Sequence, residues 1–490
     1  MRVLFYYRGF ESIGTEYLSA VLKQAGHQVE LIFDPGFDDN NYMRIPVLRK
    51  LNRLDRMRER ARVFQPDLIC FSCLTNLYPY VSKMAAMLKQ ELGKPTLVGG
   101  PHPSALPEFV LSNENVDMVC LGEGEEAVVE LAARMEKKEP IHDIRNIWFK
   151  ENGRTIQNPV RPLIPNLDDL PLPDKDLFYR TGVFTSTVMV ITSRGCSFNC
   201  AYCIHGFERS LYRETGYRLR RRSVESVMEE LHLYKQKYRA RTFIFEDDDF
   251  ASDQEWLERF TERYRAEIGY PFYCLTNPRQ ISERRLGLLK AAGCYELFMG
   301  IDSGSEEIRR DRLNRKFTDR ELIDTARRIK AAGILLRTTA MFAIPDETPE
   351  TMTKTVKMIA EIKPNAISTF TLYPYPKTAI YAYAEQQGLI DDEVRRQIYE
   401  GLSSLHGMSV LKHPHKKLAY MYANMLPLFN LLPKFLQPLF LRFAQIEGLY
   451  WISPLFYYLF VPITYPTVGI LRIKDILYLM LRSLLPEKGK

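Results

Sequence analysis

Cysteine is scarce in this chain. Eight in 490 residues are too few and too scattered for the disulfide framework of a small secreted scaffold, and they point to a reducing compartment. No secretory signal peptide is legible, so a cytoplasmic location is expected. Charge of one sign is also in short supply: 67 Lys and Arg against 60 Asp and Glu leave a formal net charge of +7. No basic stripe is interleaved with base-stacking aromatics, which argues against an extended nucleic-acid surface. The run Arg218 to Arg222 holds four arginines and reads as a solvated face or an anion contact. A G-x-G-x-x-G fingerprint is missing after the first predicted strand, where Tyr7-Arg8-Gly9-Phe10 stands, so a nicotinamide site has little support. What is present is ample apolar material: 46% hydrophobic residues and a length sufficient for two to four domains.

Three of the cysteines are clustered. Cys196, Cys200 and Cys203 stand at i, i+4 and i+7 in Arg194-Gly195-Cys196-Ser197-Phe198-Asn199-Cys200-Ala201-Tyr202-Cys203. Three thiolates at that spacing can curl round one corner of a [4Fe–4S] cube and leave its fourth iron open to a small chelating molecule. The alternatives are a zinc site completed by His205, a disulfide, or buried thiols. Cys274 and Cys294 read as small apolar packing groups. Cys70 and Cys73 straddle a predicted strand end without the helix start that a redox pair needs.

The CxxxCxxC spacing with an aromatic before the last Cys resembles the signature of the radical S-adenosylmethionine (SAM) enzymes. That resemblance implies that Cys196, Cys200 and Cys203 hold the cluster and that SAM chelates the open iron. Electron transfer would then release a 5′-deoxyadenosyl radical. It places Tyr202 beside the adenine, and it implies an electron donor such as flavodoxin or ferredoxin.

Upstream, short apolar strands alternate with helices: Val3–Tyr7, a helix from Thr15 to Ala25, Val29–Ile32, Leu68–Ser72, Pro95–Val98 and Met118–Leu121. This alternation predicts a doubly wound parallel sheet that binds ligands at its strand ends. Ser72 and Thr75, then Gly99 and Gly100, then Gly122 and Glu123 resemble the cobalamin-binding domain that precedes many radical SAM domains. The resemblance implies that Gly99 and Gly100 lie near the buried nucleotide tail, Ser72 and Thr75 near that tail or the corrin, and Gly122 and Glu123 near the corrin edge. The Asp-x-His-x-x-Gly motif that supplies a cobalt ligand in some cobalamin proteins is absent. His102 is a possible stand-in, or a structural turn residue.

Residues 153–185 are rich in Pro and Asp and suit a linker. The strand Val188–Thr192 then delivers the cysteine loop, and a helix over 223–238 and strands at 242–245, 272–277, 296–305, 336–342 and 366–371 predict a six-unit partial barrel. Glu246, Asp247, Asp248 and Asp249 end its second strand. They are either a solvated helix cap or functional carboxylates, and the resemblance places this position near the SAM amine or the substrate. Asp248 is taken with Tyr202 as a catalytic candidate. Gly300-Ile301-Asp302-Ser303-Gly304-Ser305 resembles the family's Gly-Ile-Glu-Ser-Gly-Ser, which implies that Asp302, Ser303 and Ser305 contact SAM.

From Leu411 to the last residue there are ten Lys or Arg against three Asp or Glu, and Gly448 to Leu471 is a stretch of 24 residues without charge. Pro454, Pro462 and Pro466 interrupt it, which disfavours one membrane-crossing helix. Basic residues flanking aromatic-rich apolar stretches fit a segment lying on the inner membrane face, and a helical cap on the barrel is the other reading.

The expected fold is therefore α/β. A Rossmann-like cobalamin-binding domain (1–140) is followed by a linker (141–185), a partial (β/α)6 radical SAM barrel (186–400) and a helical C-terminal segment (401–490). The expected function is a cobalamin-dependent radical SAM enzyme that methylates, rearranges or cyclises a lipid-like or natural-product substrate at an unactivated carbon. Two alternatives are an enzyme of this kind that has lost its corrin and a non-catalytic corrinoid-binding protein. The intact cysteine triad argues against the second.

Overall fold

The computed structural model describes residues 1–36, 54–151, 153–182, 187–238, 240–402 and 407–464. The first sheet has seven strands: β1 (Arg2–Arg8), β2 (Gln28–Asp34), β3 (Leu68–Ser72), β4 (Thr96–Gly99), β5 (Met118–Cys120), β6 (Ile147–Glu151) and β7 (Arg154–Ile156). Their order is β2-β1-β3-β4-β5-β6-β7. The first five are parallel. Their near-continuous apolar runs reflect burial on both faces: Leu68, Ile69, Cys70 and Phe71 of β3 are all buried. The chain order reverses between β1 and β3, which opens a crevice beyond the carboxyl ends of these strands.

β6 and β7 lie within the stretch 141–185 expected to be a linker, and they extend the first sheet, β6 antiparallel to β5 and β7 antiparallel to β6. The first domain therefore runs past residue 140. Ile147 and Phe149 are buried against it, whereas the proline-rich composition begins only at Pro159. The rest of the linker is also pinned. Lys175 is fully buried and donates to Glu11 (2.5 Å) and Glu16 (2.7 Å). Asp174 accepts from Ser19 and Lys23, both at 2.5 Å. Phe178 packs edge-on against Tyr7 and Phe33 at 5.9 Å.

The second sheet begins with β8 (Thr187–Val190). A short antiparallel pair, β9 (Ser193–Arg194) and β10 (Arg220–Arg221), follows before β11 (Thr242–Phe245), β12 (Phe272–Thr276), β13 (Cys294–Asp302), β14 (Leu335–Phe342) and β15 (Ala366–Thr371). β8 and β11 to β15 pair in parallel in chain order, forming an open half-barrel. An aromatic layer fills the space under its helices. Trp256 stacks on Phe260 at 5.0 Å, and Phe245, Phe250, Tyr264 and Phe272 close round them.

The C-terminal segment caps this sheet. Helix Lys416–Leu431 buries Leu418, Met421, Tyr422, Met425 and Phe429. Tyr422 Oη lies 3.1 Å from Thr353 Oγ1, and Asn424 donates to Ser453 (2.9 Å). Helices Gln437–Ala444 and Ser453–Thr464 follow. Among the described residues no helix is long and apolar enough to cross a membrane. Residues 465–471 of the uncharged stretch, Pro466 included, and the basic residues from Arg472 onward lie outside the described residues.

Candidate active site

The cysteine loop is anchored from its first residue. Asp247, at the end of β11, accepts from Thr192 N (3.1 Å), Thr192 Oγ1 (2.7 Å) and Ser193 Oγ. Gly195 takes φ +93°, and a Cβ there would lie 3.0 Å from Arg218 O, so the turn into Cys196 requires glycine. Cys196 N donates to Tyr217 Oη (3.0 Å), Ala201 N to Leu313 O (3.0 Å) and Asn314 Nδ2 to Asn199 O (2.7 Å). Cys196, Cys200 and Cys203 are partly exposed, and none is in a disulfide. Burial pushes the Cys196 thiol up to about 11 and the Cys203 thiol up to about 12, so ligation must displace their protons.

The residues fit a cluster better than a closed zinc site. Among the described residues no three His, Cys, Asp or Glu side chains converge to hold one ion, whereas in a cluster each sulfur takes a different iron. His205, the candidate fourth zinc ligand, is committed elsewhere: its Nε2 lies 2.8 Å from Asp248 and its Nδ1 2.7 Å from Glu208.

A cavity of about 450 Å³ adjoins this loop. The first sheet contributes Ser72, Gly99, Gly100, Gly122 and Glu123, and the second domain contributes Arg194, Gly195, His205, Tyr212 and Asp248. Most of the cofactor-binding candidates of the first domain thus come together, as a flat apolar macrocycle at a switch point would require. Thr75 is buried outside the lining. A Cβ on Gly99 would meet only Cys120, at 3.7 Å. Gly100 has φ +105°, and its Cβ would lie 2.9 Å from Cys73 O. Gly122 has φ +68°, and its Cβ would lie 2.0 Å from Tyr212 Oη, so this glycine admits a tyrosine of the second domain.

Glu123 does more than line the edge. Its carboxylate accepts from Arg220 at 2.8 and 3.0 Å, from Arg194 at 3.2 Å and from Ile164 N at 2.9 Å. Burial opposes its charge, but the Arg220 and Arg194 guanidiniums hold it below the usual carboxylate range. Arg194 also pairs with Glu125 (2.7 Å). Of the two readings of the arginine run, the solvated face holds for the exposed Arg218 and the anion contact for Arg220, which the β9–β10 pair carries to the Glu123 carboxylate. Arg220 and Arg222 are buried, Arg222 pairing with Glu230.

Of the four consecutive acids only Asp248 lines the cavity. Asp247 holds the loop, Asp249 accepts from Thr276 (3.0 Å), and Glu246 accepts from Tyr273 (3.3 Å). Burial pushes Asp249 up to about 6.

Tyr202 donates to Asp302 Oδ2 (2.6 Å), and Asp302 also binds Arg315 Nε (3.2 Å) and accepts from Thr339 (2.7 Å). Arg315 in turn reaches Cys200 Sγ (3.8 Å) and Gly300 O (2.7 Å). Asp302 is thus a buried hub with both oxygens engaged, at φ +66° on a bulge of β13. Ser303 and Ser305 are buried below the turn. Gly304 is packed so tightly on helix Pro349–Ile362 that its Cβ would lie 2.4 Å from Thr355 Cα. His102 lies outside the cavity lining. Its ring packs at a tilt on Tyr78 (4.7 Å), neither ring nitrogen has a hydrogen-bond partner among the described residues, and burial pushes it down to about 4.

Sequence reasoning missed Arg194, Tyr212, Arg220 and Arg315. Single arginines and tyrosines carry no spacing rule; Arg194, Tyr212 and Arg220 find partners only where the two domains meet, and Arg315 only where the turn after β13 folds back on the cysteine loop.

Residues 190–359 match the radical SAM superfamily, and residues 8–132 match the B12 binding domain. The chain is 28% identical over 387 residues to an uncharacterized methyltransferase of Pyrococcus horikoshii, covering 77% of this chain and 79% of that one. It is 27% identical over 305 residues to the hopanoid C-3 methylase of Methylococcus capsulatus, covering 60% and 53%. In fold it is similar to TsrM, a radical S-adenosylmethionine methyltransferase from Kitasatospora setae solved with cobalamin and a [4Fe–4S] cluster. The TM-score is 0.64 at 17% identity, with 79% of this chain and 78% of that chain covered.

Proposed function

Because the chain belongs to the radical SAM enzymes that carry a B12-binding domain, we propose that it methylates an unactivated carbon of a lipid-like or natural-product substrate. Its cofactors are a [4Fe–4S] cluster, SAM and cobalamin. When bound, the cluster supplies the electron that cleaves SAM, and cobalamin carries the methyl group. The observation that carries the reading is the single cavity shared by the strand ends of the first sheet and the loop of Cys196. A macrocycle held by one domain and a substrate held by the other would meet there.

The chain's own residues have distinct parts in this reading. Cys196, Cys200 and Cys203 hold the cluster. Gly99 and Gly100 let the macrocycle approach the backbone, with Ser72 beside them. Glu123 fixes the distance between the two halves through Arg194 and Arg220. Asp248, oriented by His205, presents a carboxylate to an amine or hydroxyl in the cavity. Tyr202, held by Asp302, sets the loop between the second and third cysteines.

A lipid-like substrate is supported by a second observation. Phe435, Leu439, Trp451, Leu455 and Leu459 are 62 to 78% exposed on the C-terminal helices and the turns before them. Lys434 and Arg442 stand among them. Such a surface suits peripheral contact with an anionic inner leaflet, and the similarity to a hopanoid methylase points the same way.

The test is anaerobic reconstitution with iron, sulfide, cobalamin and methyl-deuterated SAM, followed by mass spectrometry of a lipid extract. A deuterated methyl group on a lipid carbon is expected. SAM cleavage with no labelled product from lipid or polar extracts would overturn methyl transfer. Flotation with anionic liposomes, weakening as salt rises, tests the membrane contact.

A further inference from the structure

The two domains meet at a second place, outside the cavity. Gly401, just past helix Asp392–Tyr399, has φ +67°, and a Cβ there would lie 2.0 Å from Thr75 O and 3.2 Å from Pro79 Cδ. Beside it the Tyr399 ring stands edge-on to Phe109 at 5.5 Å. Phe109 packs in turn on Tyr78 (5.5 Å), and Tyr78 on His102 (4.7 Å). This contact is apolar and closes round a glycine that lets backbone meet backbone.

The sheet order fixes where it lies. Thr75 and Tyr78 follow β3, and Glu123 follows β5. The order β3-β4-β5 puts Gly99 and Gly100, which wall the cavity, between them. The domains therefore touch on both sides of that wall, and the two contacts differ in kind. On one side Glu123 meets Arg194 and Arg220, and separating buried ions from their partners is costly. On the other side no hydrogen bond or ion pair crosses from Thr75, Tyr78 or Phe109 to residues 399–401 among the described residues. Glu400 pairs with Arg396 of its own helix (2.9 Å). The helix is held to the barrel independently: Tyr373 Oη donates to Ile398 O (2.9 Å), and Val394 and Ile398 are buried. Parting Tyr399 from Phe109 thus leaves the barrel intact.

We propose that the contact of Tyr399 and Gly401 with Phe109 and Thr75 is the entry clasp for cobalamin, parting to admit the macrocycle and closing behind it while the Glu123 junction stays shut. This rests on the reading of Gly99 and Gly100 as the macrocycle's wall. A ligand seated between domains that touch on both sides reaches its seat only when one side opens, and the side with the weaker contacts opens first. None of Thr75, Phe109, Tyr399 and Gly401 lines the cavity. The clasp therefore sets how fast cobalamin comes and goes, not how tightly it is held. Loosening it raises the open fraction of the free and the loaded protein alike, so both rates rise and their ratio stays.

The test is stopped-flow binding of hydroxocobalamin to the full-length protein with its cluster assembled. Release is followed by displacing radiolabelled hydroxocobalamin with an excess of unlabelled. Tyr399→Ala removes the ring, and Gly401→Ala pushes a methyl group against Thr75 O. Each should raise association and release rates together by about tenfold, with equilibrium affinity and iron content unchanged. Either variant suffices, since one deletes a contact and the other forces it apart. Tyr399→Phe, which keeps the edge-on ring, should match the wild type. Wild-type rates in both alanine variants would overturn the clasp. So would faster release with unchanged association, a loss of affinity that would make these residues part of the seat. A wild-type protein that binds no hydroxocobalamin would overturn the parent reading and the clasp together.

Discussion

Glu123 and Arg220 meet in a two-point ion pair, at 2.8 and 3.0 Å, across the junction of the two domains. The acid comes from the loop after β5 and the base from β10, which is paired with the strand that leads into Cys196. This contact makes one site of two half-sites, because the strand ends of the first sheet can keep a fixed distance from the cluster loop only if the junction is rigid.

Removing one partner leaves buried charge without compensation. Glu123→Ala should therefore destabilise the protein by about 3 kcal/mol, and Glu123→Gln by less, since an amide still accepts one of the hydrogen bonds. Thermal unfolding of the reconstituted enzyme measures both. In Glu123→Ala the dipolar coupling between reduced cluster and cob(II)alamin in pulsed EPR should broaden while iron content holds. An unbroadened coupling would show that the junction does not depend on this pair.

Cys196, Cys200 and Cys203 changed together to Ala should remove all iron and sulfide, about four of each per chain for a site of this type. Cobalamin binding should survive, because the glycine-lined strand ends belong to a separate sheet. Iron analysis and the absorption spectrum give the answer; a full brown chromophore in the triple variant would end the assignment.

The parallel sheets and the cysteine loop were legible because their signals are local. Apolar runs such as Leu68–Phe71 and the i, i+4, i+7 spacing need no knowledge of the rest of the chain. β6 and β7 were not, since their short apolar alternation acquires meaning only against β5. Lys175 was equally opaque: a lysine in a proline-rich stretch reads as solvated until Glu11 and Glu16, more than 150 residues earlier, are seen to enclose it. Asp302 was read as a cofactor contact from its place in a motif, while its oxygens turn out to bind Tyr202, Arg315 and Thr339.

Gly99 offers a clean steric probe. Its φ lies outside the left-handed region and a Cβ meets only Cys120, so Gly99→Leu should fold and place its side chain in the cavity. Cobalamin affinity should fall by at least tenfold while the cluster still assembles. Equilibrium binding of hydroxocobalamin with parallel iron analysis separates the two effects. Unchanged cobalamin affinity would exclude this wall as the macrocycle's seat.

The cobalt should have no protein imidazole below it. His102 is outside the cavity, and His205, which lines it, is engaged at both nitrogens by Asp248 and Glu208. Cob(II)alamin bound to the enzyme should give an EPR spectrum without hyperfine splitting from a histidine nitrogen. Its appearance in the wild type and loss in His205→Gln would reverse this conclusion.

Stability should pass through a maximum in mildly acidic solution, because two buried groups on one turn titrate in opposite directions. Glu347 accepts from Ile344 N (3.0 Å), and burial pushes its carboxyl up to about 8 from an ordinary 4.5. Its contribution is complete below the unfolded value and is lost as pH rises toward 8. His413 lies 3.1 Å from Ile344 O through Nε2 and accepts from His415 N (3.2 Å), a neutral ring held down to about 4 from 6.5 chiefly by burial. Its contribution is complete above 6.5 and is lost as pH falls toward 4. Each group can tilt the profile by at most about 1.4 kcal/mol per pH unit within its window. Urea unfolding from pH 5 to 8 should show a plateau up to about pH 6.5, where the two slopes oppose, and a decline above it; Glu347→Gln should remove the decline and make stability rise with pH below 6.5, and His413→Gln should make the decline begin already at pH 5. If each variant shifted the whole curve without changing either slope, the two side chains would be holding the Ile344 turn by packing alone, and the pH optimum would need another origin.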